Sequence, residues 1–291
     1  MVLLTSILYG LLALPLVLHL SAALLSATPF RQHAHYPTFL ARCLTYLLCL
    51  ATSAIYGMLA SLILRAFGEG GLGQWTTARF FKYLMGITSG VWVEVLPSGA
   101  EGLTRRPAVF VGNHQTELDV LFLGAMFPRY CSVTAKDSLK YTPLLGQFMS
   151  LSKTVFINRT NRASALAAFS SAAATMHSAQ QSVFIFPEGT RSYATTPTLL
   201  PFKKGAFHLA VQAQVPVVPV VCANYSHVLS FKRWVFGAGT IPVRVLEPIE
   251  TTGLGAGDVD ELVERCRTAM EKALVELEGV KGDVLGGKKV V

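Results

Sequence analysis

The first 68 residues of this 291-residue chain lack acidic side chains altogether. Their only charged residues are Arg31, Arg42 and Arg65, and charged residues make up just 14% of the whole chain against 52% apolar ones. That balance is hydrophobic for a purely soluble protein, but the shortage of charge is confined to the N-terminal part. The length of the chain allows one sizeable domain with an apolar anchor, or two small domains.

Several patterns that would indicate other kinds of protein are also missing. The five cysteines are scattered and form no Cys-x-x-Cys pair, which argues against a disulfide framework or a zinc knuckle and favours a reducing compartment. There is no G-x-S-x-G motif for a serine nucleophile. Residues 68–73 match the dinucleotide-binding spacing G-x-G-x-x-G, but they follow an apolar segment and not a strand, so we interpret them as a flexible joint.

Two long apolar segments open the chain and predict a two-helix membrane anchor over residues 1–67. Residues 1–30 carry no charged side chain. The 22 uncharged residues at 43–64 would span about 33 Å as a helix, against a hydrocarbon core of about 30 Å. A cleaved signal peptide is the alternative for the first segment, but a basic start is missing and a second segment follows at once. Full crossing and a re-entrant hairpin both stay open, because Pro15 weakens the first helix.

Residues 68–291 change to alternating short strands and helices. The predicted strands are β-branched or aromatic and are bounded by Gly, Pro or Asn; they lie at 91–96, 108–111, 154–157, 183–186, 215–222 and 241–246. The predicted helices between them lie at 117–126, 162–179 and 205–212. This alternation is typical of α/β proteins, and we expect a layered α/β/α domain with a mixed central sheet.

The last predicted helix, over residues 258–279, is the clearest. Asp258 can cap its start, and Gly279 is expected to end it. Apolar residues recur between them at three- and four-residue steps: Val259, Leu262, Val263, Cys266, Ala269, Met270, Ala273, Leu274 and Leu277. Such a stripe predicts a helix that docks one face on the domain, and a helix lying on a membrane surface is the alternative.

Positive charge is concentrated in the middle of the chain. Residues 120–250 contain twelve Lys and Arg against four Asp and Glu. An excess of this size favours anionic partners, which include phosphate-bearing substrates, acidic lipid headgroups and nucleic acid. General solubility and attraction to a membrane surface are the other explanation.

His114 and Asp119 form the first pair of residues with catalytic potential. His114 follows a predicted strand, and Asp119 lies five residues on, one turn into the predicted helix. A carboxylate so placed can fix the tautomer of the imidazole and stabilise the imidazolium that forms when the other nitrogen takes a proton. The alternative is a capping-box-like helix start, with Thr116 as the N-cap and Asp119 three residues later.

A second group of polar residues follows the strand predicted at 183–186. Pro187 and Gly189 predict a sharp turn, which can present Glu188, Thr190, Arg191 and Ser192. They would lie at the carboxyl end of the strand, where ligands bind in α/β sheets, and Arg191 offers a planar guanidinium to phosphate oxygens. Another predicted strand ends in Arg159, which by itself is equally well explained as a surface charge.

Four segments in this order resemble the glycerophospholipid acyltransferase family, and within it the eukaryotic branch that acts on 1-acylglycerol 3-phosphate. They are the His-x4-Asp motif at 114–119, the block at 156–159, the block at 186–192 and the apolar run with two prolines at 215–221. The resemblance covers about residues 85–250, and the two N-terminal helices are similar to the family's membrane anchor.

The resemblance implies direct transfer of a fatty acyl group from acyl-CoA to the sn-2 hydroxyl of 1-acyl-sn-glycerol-3-phosphate (lysophosphatidic acid), with acyl-CoA as a co-substrate. His114 would be the general base and Asp119 would orient it, without an acyl-enzyme, a metal or a resident cofactor. The residues expected to bind phosphates or to shape their pocket are Arg159, Glu188, Gly189, Thr190, Arg191, Lys203 and Lys204.

The implied partners are acyl-CoA, lysophosphatidic acid and the phospholipid bilayer, with no nucleic acid. A sister enzyme that acts on glycerol-3-phosphate or another lysophospholipid is one alternative. A non-catalytic lipid-binding membrane protein with the same fold is the other.

The location follows from the donor and from the C-terminus. Acyl-CoA is mainly cytosolic, so we expect the catalytic domain to face the cytosol. Lys288 and Lys289, near the terminus, resemble the dilysine retrieval signal of endoplasmic reticulum membrane proteins. We therefore expect the endoplasmic reticulum membrane, with lipid droplets as a second location. The glycosylation sequons that begin at Asn158 and Asn224 would then stay unmodified.

Overall fold

The computed structural model describes residues 2–158 and 162–285. The predicted phosphate ligand Arg159 and the C-terminal pair Lys288 and Lys289 lie outside the described residues.

The two apolar segments form helices α1 (Val2–Ser26) and α2 (His35–Ala66), joined by a short 3-10 turn, Arg31–His33. Among the described residues, one helical stretch, Arg31–Ala66, is long and apolar enough to cross a membrane. The apolar part found in α1, Leu12–Ser26, is shorter. The predicted pair of apolar helices is confirmed as secondary structure, and the crossing of a bilayer stays a prediction.

Helix α2 packs against α3 (Gly73–Ser89) and α5 (Leu145–Leu151) of the following domain. Residues 68–73, between α2 and α3, contain the 3-10 turn Gly70–Leu72, in which both glycines are buried. A side chain at Gly71 would come within 2.8 Å of Gln181 and Tyr130. The middle of the run is therefore packed against the domain, in contrast to the flexible joint that we expected, while Gly68 has open space around it.

The central sheet has seven strands in the order β1-β9-β6-β2-β5-β3-β4. Their bounds are β1 Val91–Val95, β2 Val109–Gly112, β3 Cys131–Lys136, β4 Val155–Ile157, β5 Ser182–Ile185, β6 Val217–Cys222 and β9 Gly239–Val245. All neighbouring pairs are parallel except β6 and β9, which are antiparallel, so the predicted mixed sheet is confirmed. A separate hairpin consists of β7 (Leu229–Ser230) and β8 (Val235–Phe236).

Helices cover both faces of the sheet. Val109 and Val111 of β2 point into a core shared with α6 (Arg162–Ser178), α7 (Gly205–Ala213) and α8 (Val259–Leu285). Phe110, between them, points into a core shared with α2, α3 and α4 (Asp119–Met126). Successive side chains of a strand face opposite sides, and both sides of β2 are apolar here. The predicted α/β/α layering is therefore confirmed.

Helix α8 docks as predicted but is longer. All members of its predicted apolar stripe are buried except Ala269, which is half-buried. The Asp258 carboxylate accepts a hydrogen bond from the Gly255 amide at 2.7 Å, within a 3-10 turn that precedes the helix. The helix continues past Gly279, its predicted end, to Leu285. A single glycine inside a helix costs only about 1 kcal/mol relative to alanine, which the helix tolerates.

Candidate active site

The candidate site lies where the neighbouring parallel strands β2 and β5 end. Because the two strands run side by side, the segments that follow them meet at the same edge of the sheet. The Ser192 amide donates to the carbonyl of His114 at 2.9 Å, and the Tyr193 amide donates to that of Gln115 at 3.0 Å. The fold therefore brings together residues that are 78 positions apart in the sequence.

His114 and Asp119 are in direct contact. Nδ1 of the imidazole lies 2.7 Å from Oδ2 of Asp119, whose residue exposure is only 2%. The same oxygen accepts the backbone amide of Gln115 at 2.6 Å. The imidazole stacks on the ring of Phe186, with centroids 4.1 Å apart and planes at 15°. With Nδ1 held by the carboxylate, Nε2 is the ring nitrogen left to exchange a proton with a substrate.

Thr116 caps the local turn, but Asp119 does not close a capping box with it. The Thr116 hydroxyl oxygen accepts the Leu118 amide at 3.1 Å. The Thr116 amide, which a capping box would direct to the Asp119 carboxylate, donates instead to the hydroxyl of Tyr225 at 3.0 Å. The capping alternative for Asp119 is therefore wrong, and its carboxylate is available to His114.

Tyr225 completes the hydrogen bonding of Asp119, and sequence reasoning missed it. Its hydroxyl donates to Oδ1 of Asp119 at 2.6 Å, and the side chain is 1% exposed. Burial and the neighbouring Asp119 carboxylate raise the pKa of Tyr225 well above its usual value, so the phenol stays protonated. Tyr225 lies just after β6, 106 residues from Asp119, and no local pattern could have paired them.

Replacement of Tyr225 by phenylalanine should lower kcat by about tenfold, on the scale of one lost hydrogen bond to a charged group. The KM values of the substrates should change less than twofold, since the hydroxyl contacts Asp119 and Thr116. A carboxylate that loses a donor becomes a stronger base. The acid limb of the pH–rate profile should therefore move to higher pH, which steady-state kinetics across pH would measure.

The matched control for this change is Tyr83→Phe, at an exposed position of α3. It should leave both kcat and the pH profile in place. If Tyr225→Phe only lowers the amount of folded protein and the profile does not move, Tyr225 has a structural role and does not position Asp119.

Glu188 joins the backbones of two segments at the site. Its carboxylate oxygens accept the amides of His114 at 2.7 Å and Leu200 at 2.9 Å. The side chain is 3% exposed, and burial raises the pKa of Glu188, while the two amide donors act in the opposite direction. The structure thus places Glu188 as a support of the His114 segment, behind the surface that a ligand would reach.

Gly189 and Lys203 lie next to each other. Gly189 has a positive φ of 69°, and a side chain on it would come within 2.9 Å of the Lys203 side chain. The Lys203 amide donates to the carbonyl of Pro187 at 2.8 Å. The turn after β5 and the segment before α7 therefore form one packed unit, with the exposed Lys203 at its surface.

Arg191 is exposed in the same turn, and its guanidinium pairs with Glu117 at 3.1 Å. Thr190 is exposed beside it. Lys204 points elsewhere, because its ammonium pairs with Asp260 in the first turn of α8 at 2.5 Å. Of the described candidates, Asp119 and Glu188 contact His114 directly. Gly189, Thr190 and Arg191 lie in the turn before Ser192, whose amide contacts the His114 carbonyl, and Lys203 packs on that turn at Gly189.

A protein-family model for acyltransferases matches residues 94–223, a range that contains His114, Asp119, Glu188 and Arg191. The chain is 42% identical over 236 residues to the 1-acyl-sn-glycerol-3-phosphate acyltransferase of Saccharomyces cerevisiae, which covers 81% of this chain and 77% of the relative. The chain belongs to the acyltransferase family.

Two further comparisons concern a human relative and a solved structure. The beta form of human 1-acyl-sn-glycerol-3-phosphate acyltransferase is 42% identical over 172 residues, which is 59% of this chain and 61% of the human protein. The crystal structure of the 1-acyl-sn-glycerophosphate acyltransferase of Thermotoga maritima superposes with a TM-score of 0.64. The match covers 82% of this acyltransferase and 95% of the Thermotoga chain. The two sequences are 22% identical, so the match supports the fold alone.

Proposed function

We propose that this acyltransferase transfers a fatty acyl group from acyl-CoA to the sn-2 hydroxyl of 1-acyl-sn-glycerol-3-phosphate, which gives phosphatidic acid and CoA. The observation that carries the proposal is the 2.7 Å contact between His114 and the buried Asp119 at the sheet edge. The activity that the yeast and human relatives carry in their names supports the choice of acceptor.

The proposed reaction uses His114 as a general base and then as a general acid. Nε2 removes the proton of the sn-2 hydroxyl while that oxygen attacks the carbonyl carbon of the thioester. When the tetrahedral intermediate collapses, the C–S bond breaks and the departing CoA sulfur takes the proton from the imidazolium. Asp119 stabilises the imidazolium between these steps, and no acyl-enzyme forms.

Arg191 is the proposed main ligand of the acceptor phosphate among the described residues. Its guanidinium is exposed. The next residue, Ser192, donates its backbone amide to the carbonyl of His114 at 2.9 Å, which keeps Arg191 near the catalytic histidine. A planar guanidinium can donate two parallel hydrogen bonds to phosphate oxygens. Arg159 and Thr190 are further proposed ligands of that phosphate. Glu188 and Gly189 are proposed to frame the pocket, and Lys203 and Lys204 to bind phosphates of CoA or of lipid headgroups.

A bilayer is the proposed physical setting of the reaction. Helix α2 exposes large apolar side chains, namely Leu40, Leu47, Ile55, Leu59, Leu62 and Ile63. The β7–β8 hairpin adds exposed Phe231 and Trp234, which flank Lys232 and Arg233, and Trp234 packs edge-on against Tyr36 near the start of α2. Aromatic and basic side chains beside an apolar helix suit a membrane interface.

The proposed location is the endoplasmic reticulum membrane, with the catalytic domain in the cytosol. Protease added to sealed microsomes should digest that domain without detergent, and its protection would contradict this orientation. Glycosylation of Asn224 is a poor reporter, because the residue is 3% exposed and its amide donates to the carbonyl of Ala194 at 2.8 Å.

The experiment that tests the function is acyl transfer by purified protein in detergent, with radiolabelled acyl-CoA and a panel of acceptors. Labelled phosphatidic acid from lysophosphatidic acid is the expected product. Faster labelling of glycerol-3-phosphate or lysophosphatidylcholine would assign a sister reaction. A folded protein that binds lysophosphatidic acid but transfers no acyl group to any acceptor would be a non-catalytic lipid-binding protein.

A further inference from the structure

The guanidinium of Arg191, which the proposed function assigns to the acceptor phosphate, is already paired with the carboxylate of Glu117. Oε1 of Glu117 lies 3.1 Å from Nη1 of Arg191 and also accepts the hydroxyl of Tyr193 at 2.8 Å. The second carboxylate oxygen, Oε2, is buried and has no hydrogen-bond partner among the described residues. A negative charge therefore already lies beside Arg191 where a phosphate would have to bind.

The position of Glu117 is fixed by its surroundings. It is the third residue inside the His-x4-Asp motif, two residues before Asp119. Its backbone carbonyl accepts the hydroxyl of Tyr46, from α2, at 2.7 Å. The backbone of Glu117 is thus held between the apolar helix and the catalytic pair, so exchange of its carboxylate requires only a side-chain rotation.

The energetics allow the exchange. The side chains of Arg191 and Glu117 are 41% and 34% exposed. An ion pair with this much contact with solvent changes an equilibrium constant by at most about fivefold, so a phosphate can displace the carboxylate from Arg191. A phosphate that bound while Glu117 stayed in place would face a like charge, which costs binding free energy.

We propose that Glu117 is an internal counter-ion of Arg191, which the acceptor phosphate displaces, and that this competition sets the affinity for the acceptor. The inference rests on the proposed function, because Arg191 is the phosphate ligand there. The competing explanation is that Glu117 holds Arg191 in its binding geometry. The two explanations predict opposite effects of removing the Glu117 charge.

The test is Glu117→Gln, which keeps the shape of the side chain and removes its charge. Equilibrium binding of lysophosphatidic acid to the detergent-solubilised protein, without acyl donor, should tighten by about two- to fivefold, the fold-change that corresponds to the strength of an exposed ion pair. In turnover, KM for lysophosphatidic acid should fall by the same factor and KM for acyl-CoA should stay constant. Binding of monoacylglycerol, which lacks the phosphate, should not change.

Two comparisons make the outcome specific to Arg191. Glu250→Gln removes one member of the exposed pair between Arg105 and Glu250 and should leave the affinity for lysophosphatidic acid unchanged. In an Arg191→Gln background, Glu117→Gln should give no gain, because the two changes act on one interaction.

Weaker or unchanged binding of lysophosphatidic acid by Glu117→Gln would overturn the inference. The binding measurement keeps this result separate from the proposed function. A wild-type protein that transfers no acyl group to lysophosphatidic acid refutes the function, whereas tighter binding of the phosphate-bearing lipid by Glu117→Gln would still support the counter-ion role.

Discussion

Replacement of His114 by alanine should lower the rate of acyl transfer by roughly 10²–10⁴-fold, the contribution that a positioned general base makes. Within the described site, Asp119 contacts the imidazole, the Gln115 amide and the Tyr225 hydroxyl, and of these groups only the imidazole can act as a general base. Without it, the acceptor hydroxyl must lose its proton to water. The measurement is initial rates with radiolabelled acyl-CoA and saturating lysophosphatidic acid.

The fold should survive this change, because the backbone contacts of His114 with Glu188 and Ser192 do not involve the imidazole. A thermal melt would confirm that the variant is folded. The matched control is His208→Ala, at an exposed position of α7, which should keep the native rate. A folded His114→Ala protein that transferred acyl groups as fast as the native enzyme would refute the proposed mechanism.

Replacement of Asp119 by asparagine should lower kcat by an amount on the order of 10²–10⁴-fold, because it removes the charge that stabilises the imidazolium. Oδ2 of Asp119 receives both the imidazole and the Gln115 amide, and Oδ1 receives the Tyr225 hydroxyl. An asparagine has one oxygen for these three donors. Its NH2 must therefore face either the imidazole or Tyr225. Facing the imidazole, it imposes the wrong tautomer; facing Tyr225, it donates to the hydroxyl, which can turn to accept that hydrogen bond.

The decisive comparison is the double variant His114→Ala, Asp119→Asn. Residues that act as one unit lose their effects together, so the second change should cost little once His114 is gone. Independent, multiplicative losses would show that Asp119 acts on the reaction by another route. Asp137→Asn, in the turn after β3, is the control for the same chemical change and should keep the native kcat.

The elements that the sequence predicted well have strong local signals. Strands β1, β2, β4, β5, β6 and β9 lie within about two residues of their predictions, because β-branched and aromatic runs bounded by Gly, Pro or Asn are recognisable without tertiary context. Strand β3 was missed, although the alternation of Ser132, Thr134 and Lys136 with apolar or small residues has the period of a half-buried strand. Helix α3 was missed because it begins at Gly73, within the glycine-rich run.

For the candidate site, too, local features were predicted and long-range contacts were not. The pairing of His114 with Asp119 and the turn that carries Glu188 and Arg191 were predicted from motifs. The partners of those residues were not: Tyr225 donates to Asp119, and Glu117 holds Arg191. Each of these contacts joins segments that are at least 70 residues apart, and no spacing within a segment reports which strand lies beside which.

The sequence by itself determined the apolar helices, the α/β alternation and the His–Asp pair, because each depends on residues within a few turns of one another. Only the tertiary structure decided that Asp119 has a second donor, that Glu188 supports two backbones and that Arg191 already has a counter-ion. The physical reason is the strand order β6-β2-β5, which places the ends of three distant strands at one edge of the sheet. At that edge, burial and hydrogen bonding act between residues that are far apart in the chain.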